Sequence, residues 1–388
     1  MRILIAPGAY KHSLSAQTAA AAMQRGLQRS GLEATYLLLP IADGGNGTLD
    51  AFLAAESVNN KELRSQRIHI IVDNPIGKKV PSQLGLIANG STAVIEMALA
   101  SGLELIPRDS LDPLKASTFG TGQLMQAGLE HGASRFIVGM GGSATVDGGA
   151  GCLQALGVRY LDDTGQPLPA GIGGGDLLRI RQIDVSALDP RWHECEIIVA
   201  TDVENPALGE EGAAAVFGPQ KGASAHDVAV LEANLRHFFT LVKEQLGIDV
   251  MTTPGGGAAG AFAAGLMAFL GGKIQSGIEL LLKHNHFREQ LATADLVVTG
   301  EGQMDSQTIY GKGPIGVARL AREYGVPTVA IVGGLNTDDD LLHEAGITAV
   351  LPTVVKPMTL DEAIARADEL VERAALRLGY LLQVNAGK

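Results

Sequence analysis

Arg2-Ile3-Leu4-Ile5-Ala6, closed by Pro7, is a short apolar run that reads as a buried parallel strand. Ser15 stands where a helix cap belongs. Ala19, Ala22, Met23, Gly26 and Leu27 then recur at i, i+3, i+4, i+7 and i+8, which marks one face of a helix. Ala34 to Leu39 is the next apolar run, so the chain opens as a βαβ unit. The pattern returns far downstream. Leu296-Val297-Val298 predicts a strand followed by a loop, with a helix near Ile315 to Tyr324. Thr328 to Val332 predicts a strand, Asp339 to Ala345 a short helix, and Ala349 to Leu351 a strand. Thr359-Leu360-Asp361-Glu362 is a capping box ahead of a last helix with the stripe Ile364, Ala367, Val371, Ala374 and Leu378. Alternation of strand and helix at both ends predicts one parallel sheet built from both termini.

The middle of the chain is less regular. Two strand-like runs between Asp73 and Asn89 predict a hairpin. Loops rich in Gly, Pro and Asp are expected at 162–175 and 254–260. This predicts a second α/β domain over 73–287, inserted into a domain made of 1–72 plus 288–388, with the active-site cleft between them. No fixed-period repeat is present.

Composition bounds the function. The chain has 388 residues, 46% hydrophobic and 19% charged, a globular balance. A formal charge of −12 argues against nucleic acid or an anionic membrane as the main partner. The N-terminus does not read as a signal peptide, and Ala258 to Gly272 is too short and glycine-rich to span a bilayer, so a cytoplasmic protein is expected. Cys152 and Cys195 match no metal spacing and read as small buried side chains in a reducing compartment. Oligomeric state is open, a homodimer included. Glycine is abundant, 50 residues or about 13% against an average near 7%, and clusters where strands end.

Four of these clusters carry the chemistry. Asp43 lies in Ala42-Asp43-Gly44-Gly45-Asn46-Gly47-Thr48, where glycines free backbone N–H groups for an anion; an Asp-Gly turn is the plainer reading. Gly139 to Gly149 follows the strand Phe136-Ile137-Val138. Gly139, Gly141 and Ala144 satisfy a dinucleotide fingerprint, and Asp162 and Asp163 lie about 20 residues on, which keeps an NAD-dependent oxidoreductase open. A phosphate cradle made of Gly139, Gly141, Gly142 and Ser143, with Asp147 close by, suits phosphoryl transfer equally. Asp202, after the strand Ile197 to Val199, is a candidate Mg²⁺ ligand. Lys221, in Phe217-Gly218-Pro219-Gln220-Lys221-Gly222, is a candidate phosphate-binding cation. Thr299-Gly300-Glu301-Gly302-Gln303-Met304-Asp305 and the following Lys312 place two carboxylates and a lysine after one strand, fit for metal and phosphate. No Walker A or protein-kinase motif set occurs.

Together these strings resemble the bacterial glycerate kinases. Ala6 to Ala16 read APGAYKHSLSA against that family's APDSFKGSLSA, and Ala42 to Thr48 read ADGGNGT against ADGGEGT. Ile95 to Leu103 match IEMAxASGL, Val216 to Ala223 match VFGPQKGA, and Gly141 to Gly157 differ from the family string at Val146. Thr299 to Asp305 read TGEGQMD against TGEGRID. The chain departs at Gly8, where the family has Asp, and at Ala9, Tyr10, Val146 and Gln303. The resemblance implies transfer of the γ-phosphoryl of ATP to a hydroxyl of D-glycerate, giving the 2-phosphate or the 3-phosphate. It also implies a discontinuous Rossmann-like or flavodoxin-like domain with a second α/β domain inserted. On this reading Gly139, Gly141, Gly142, Ser143 and Lys312 hold nucleotide phosphate, Asp202 and Glu301 hold Mg²⁺, and Lys11 and Lys221 bind anionic groups. Either Asp43 or Asp147 takes the proton from the substrate hydroxyl. A small-molecule binder that has lost activity with the Asp at position 8 is the remaining alternative.

Overall fold

The computed structural model describes residues 1–59, 65–305 and 313–384. The chain divides into two compact units: Met1–Asp43, Asp50–Lys61 and Ile278–Lys388 form the first, Gly44–Leu49 and Glu62–Gly277 the second.

The first unit holds a five-stranded sheet, parallel throughout. Its spatial order is Ala349–Pro352, Thr328–Asn336, Leu296–Asp305, Arg2–Ile5, Thr35–Leu38. Numbered along the chain within this unit, the order is 2-1-3-4-5, that of flavodoxin-like folds. Arg2–Ile5 is flanked on both sides, with Ile3 opposite Leu296 on one edge and Tyr36 on the other. That explains why it lacks an alternating polar face: Ile3, Leu4 and Ile5 are all fully buried. Ser15 caps the helix Ala16–Arg29 by accepting from Thr18 N at 3.1 Å. The helix packs on the C-terminal helix Ala367–Val384 so closely that a Cβ on Gly26 would lie 2.1 Å from the Glu372 carbonyl oxygen. Thr359 caps a preceding short helix, Leu360–Ala365, so the single predicted last helix is two.

The strand that starts at Leu296 runs on through Thr299–Asp305, paired as far as Asp305 with Asn336, where a loop was expected. Its glycines answer to strand contact. A Cβ on Gly300 would lie 1.9 Å from the Ile331 oxygen, and one on Gly333 would lie 2.3 Å from the Gly302 oxygen.

The second unit holds a six-stranded sheet in the order Lys273–Gln275, Glu196–Ala200, Arg135–Gly139, Thr92–Glu96, Lys79–Ile87, Gln66–Asp73. The first four strands are parallel and the last two form an antiparallel hairpin. The hairpin begins at Gln66, ahead of the expected boundary at 73. Residues 74–78 are its turn, with Asn74 Oδ1 accepting from Ile76 N and Lys78 N. The helices Phe119–Glu130, Ala225–Leu246 and Ala258–Leu270 belong to this unit, the last starting inside the loop predicted at 254–260. Its residues are almost all buried in a core that also takes in Phe136, Trp192 and Phe238. Among the described residues no helix is long and apolar enough to cross a membrane. Cys152 and Cys195 are both free thiols.

Candidate functional site

The carboxyl ends of the parallel strands in the second unit are in register. Glu96 pairs with Gly139, Gly139 with Ala200, and Ala200 with Gln275. Two of the predicted glycine loops meet on this row. Gly141 N donates to the Gly44 oxygen at 2.9 Å, and Met140 N to the Ala200 oxygen at 3.2 Å. The approach leaves no space for side chains. A Cβ on Gly44 would sit 2.4 Å from the Ala200 oxygen, one on Gly139 would sit 2.7 Å from the Gly44 oxygen, and one on Gly141 would sit 2.4 Å from Gly45 Cα. Gly44 and Gly142 also hold φ of +90° and +78°, which L side chains rarely adopt. The sequence therefore places backbone against backbone at a strand-end edge, where open α/β sheets take ligands.

Glu96 ties this edge together, and the sequence reading assigned it no role. Its carboxylate is buried and accepts from Gly47 N at 3.0 Å and Leu49 N at 3.1 Å. A single acid inside the apolar run Ala93-Val94-Ile95-Glu96-Met97 was the available signal, since a buried carboxylate needs donors.

Asp147 and Lys221, predicted as base and phosphate ligand, lie inside the unit. Asp147 is 0% exposed and accepts from Thr118 N at 2.8 Å, Thr118 Oγ1 at 2.7 Å, Gly149 N at 3.1 Å and Gly151 N at 3.3 Å. Burial pushes its carboxyl above the usual range, while these donors pull it back. With both oxygens engaged and no exposure, Asp147 joins the glycine loop to the helix Phe119–Glu130 and has no face open to solvent. Lys221 is 1% exposed, and its ammonium donates to Ser143 Oγ and to the Thr145 oxygen, each at 2.7 Å. Burial pushes it down to about 7, and the charge of Asp147 opposes that shift. Ser143 is therefore brought together with Lys221.

The dinucleotide fingerprint fails on its context. Such a loop passes from strand directly into helix. Here the helix Ala150–Ala155 starts well beyond Ala144.

Asp202 stands just past Ala200, the end of its strand, with an exposed side chain. In the first unit Lys11 and Asp43 are exposed and Glu301 is half-buried. The switch point of this sheet lies between Arg2–Ile5 and Leu296–Asp305, and the Lys11 segment follows the first while Glu301 rides on the second. The two segments touch. Gly8 N donates to the Gly300 oxygen at 2.8 Å, and a Cβ on Gly302 would lie 3.1 Å from Lys11 N. Tyr10 anchors them with its hydroxyl on the Ile331 oxygen at 2.6 Å, and burial, with Glu301 nearby, pushes that phenol well up. Gly8 itself is under no steric demand: a Cβ there would meet only the Gly300 oxygen, at 3.7 Å. Lys312 lies outside the described residues.

Among the described residues no group of three or more His, Cys, Asp or Glu could hold a metal ion. Mg²⁺ takes one or two carboxylates and fills its remaining positions with phosphate and water oxygens. The exposed carboxylate of Asp202 fits that donor set.

A sequence model described as the glycerate kinase family matches residues 3–383. A glycerate kinase of Halalkalibacterium halodurans is 45% identical over 383 residues, covering 99% of this chain and 98% of the relative. A glycerate 2-kinase of Escherichia coli K12 is 45% identical over 390 residues, covering 100% of both. A crystal structure from Salmonella typhimurium LT2, described under the name glycerate kinase 2, superposes with a TM-score of 0.85 at 42% identity and full coverage of both chains.

Proposed function

The chain belongs to the glycerate kinase family, and from that premise we propose that it transfers the γ-phosphoryl of ATP to a hydroxyl of D-glycerate, giving 2-phosphoglycerate and ADP. The observation that carries the reading is the strand-end edge of the second unit. Its glycines hold two loops backbone to backbone, with Ser143 on the second loop. Phosphoryl transfer asks the protein for positioning and charge stabilisation more than for covalent chemistry. Backbone N–H groups and hydroxyls on a rigid edge supply the first of these.

Gly139, Gly141, Gly142 and Ser143 hold nucleotide phosphate in this reading. Asp202 and Glu301 hold Mg²⁺, which when bound neutralises charge on the transferring phosphate. Lys11 takes an anionic group of the substrate. Of the two candidate bases Asp43 is the better placed, because it is exposed while Asp147 is closed off. With no side chain at Gly8, this reading leaves room for hydroxy acids longer than glycerate. Two free cysteines suit a cytoplasmic setting.

The test is to mix protein, Mg-ATP and D-glycerate, follow ADP, and identify the product by phosphorus NMR. Glycerate-dependent ADP that disappears in excess EDTA is expected, with 2-phosphoglycerate as the product. Absence of glycerate-dependent ADP, or a signal that appears only with NAD, would sink the proposal.

A further inference from the structure

Lys221 is a buried cation with no ion-pair partner at contact distance among the described residues; it is held by two neutral oxygens. Burying an ammonium in this way costs free energy unless its donors are used, and both oxygens belong to the glycine loop. Ser143 adds a second observation. It accepts from Lys221 Nζ at 2.7 Å, and among the described residues its own hydroxyl hydrogen has no acceptor. A hydroxyl whose oxygen is held by an N–H donor must turn its hydrogen elsewhere. Ser143 sits on the loop that the backbone contacts with Gly44 and Gly45 hold rigid, and its main chain is bridged to Gly102.

We propose that Lys221 is a positioning residue: its ammonium fixes the Ser143 oxygen and the Thr145 carbonyl, and so presents the Ser143 O–H as a donor to an anionic oxygen of the nucleotide phosphate. The proposal rests on the kinase reading above. Lys221 does not touch the phosphate. It acts through Ser143, and its charge makes that hydroxyl the stronger donor. The converse follows from the chemistry of the amine. Once Lys221 loses its proton, Nζ carries a lone pair, and the Ser143 hydrogen can turn inward to it, away from the ligand. Asp147 is the charged group that acts on Lys221. Asp109, Asp112, Lys115 and Asp227 line the cleft that the neighbouring Gly222 borders.

The experiment is steady-state kinetics on wild type, Ser143→Ala, Lys221→Met, Lys221→Arg and the double variant Ser143→Ala/Lys221→Met. Each alanine or methionine variant is expected to lose on the order of a hundredfold in kcat/KM for Mg-ATP, as for removal of one oriented donor. The double variant is expected to lose no more than the worse single one, because both act at one hydrogen bond. Wild-type kcat/KM should fall on the alkaline side of an apparent pKa near 7, the value to which burial brings Lys221. Ser143→Ala should lack that limb, and Lys221→Arg should move it beyond the measured range. Losses that multiply in the double variant overturn the proposal, as does Ser143→Ala with wild-type kinetics or with the alkaline limb intact. If Lys221→Met fails to fold, Ser143→Ala and the pH profiles still decide. A wild type without glycerate-dependent ADP formation overturns the kinase reading, and this inference with it; a wild type active on glycerate whose losses multiply in the double variant overturns this inference alone.

Discussion

Gly141→Ala is expected to cost about 2–4 kcal/mol and to weaken Mg-ATP binding, and two companion substitutions separate the causes. An alanine Cβ at 141 would lie 2.4 Å from Gly45 Cα, 3.1 Å from Gly45 N and 3.4 Å from the Gly44 oxygen. Carbon atoms rest about 3.5–4.0 Å apart, so the loops at 44–47 and 139–142 must part by roughly 1 Å. Overpacking of this kind costs about 1–3 kcal/mol. The 2.9 Å bond from Gly141 N to the Gly44 oxygen spans the same contact, and its loss adds about 1 kcal/mol. Gly141 has no left-handed φ, so the whole cost is one of space. Gly47 is the reverse case: φ is +89° and a Cβ meets nothing within 4 Å, so Gly47→Ala should cost only about 1–2 kcal/mol of backbone strain. Gly8 has neither constraint, and Gly8→Ala should stay within about 0.5 kcal/mol of wild type. Urea unfolding gives the order Gly8→Ala, Gly47→Ala, Gly141→Ala from mildest to most damaging. Initial rates across an ATP titration should show a raised KM for Mg-ATP in Gly141→Ala. A Gly141→Ala protein with the wild-type urea midpoint and an unchanged KM would refute the argument that these loops are held by contact.

Three further outcomes are expected. Asp202→Asn should unfold within about 0.5 kcal/mol of wild type, because the side chain is exposed, yet lose at least about tenfold in kcat; an unchanged kcat across a Mg²⁺ titration would leave Asp202 as a turn residue. Asp147→Asn puts amide hydrogens against N–H donors from Thr118, Gly149 or Gly151 and should cost about 2–4 kcal/mol in urea unfolding; wild-type stability would show the network to be idle. Lys221 titrates near 7 when folded, below its ordinary 10.5, so between those values the unfolded chain holds a proton that the folded chain lacks. Stability of wild type relative to Lys221→Met should therefore rise with pH across that window, and a difference in urea midpoint that falls with pH would contradict the burial of the ammonium.

The sheet of the first unit was legible because each of its strands contains a short apolar run, a signal local to the sequence, and strand and helix alternate at both ends of the chain. Thr299–Asp305 was misread because Gly300 and Gly302 carry the same letters whether a chain turns or lies flat against a neighbouring strand; only the position of Ile331 decides. Asp147-Gly148-Gly149 posed the same difficulty. An Asp-Gly pair suits a turn, a metal ligand or a base, and the choice depends on whether donors such as Thr118, remote in sequence, fill its oxygens. Lys221 was read as a phosphate-binding cation because a lysine in a tight glycine–proline loop suits an anion, and lysines are seldom buried. Its burial follows from the positions of Ser143 and Thr145, some 76–78 residues earlier in the chain. The row Glu96, Gly139, Ala200 is a property of strand register, which no local pattern encodes.

The central place of Arg2–Ile5 sets the order in which this protein can be made. Arg2 meets Asp295 across a sequence separation of 293 residues, and the strand's partner on that side begins at Leu296. At a synthesis rate of about 5–20 residues per second, roughly 15–60 s pass between the emergence of the two strands. Residues 62–277 leave the ribosome inside that interval and contain nearly all of the second unit, so this unit is free to fold while the first waits. Throughout the wait an apolar strand has only Thr35–Leu38 to pair with, and its other edge is open to any extended chain nearby. A nascent-chain stall before residue 296 should therefore yield a protease-resistant second unit attached to a protease-sensitive N-terminal segment. It also makes the newly emerged strand Arg2–Ile5, not the finished molecule, the natural client for a chaperone that binds short apolar strands.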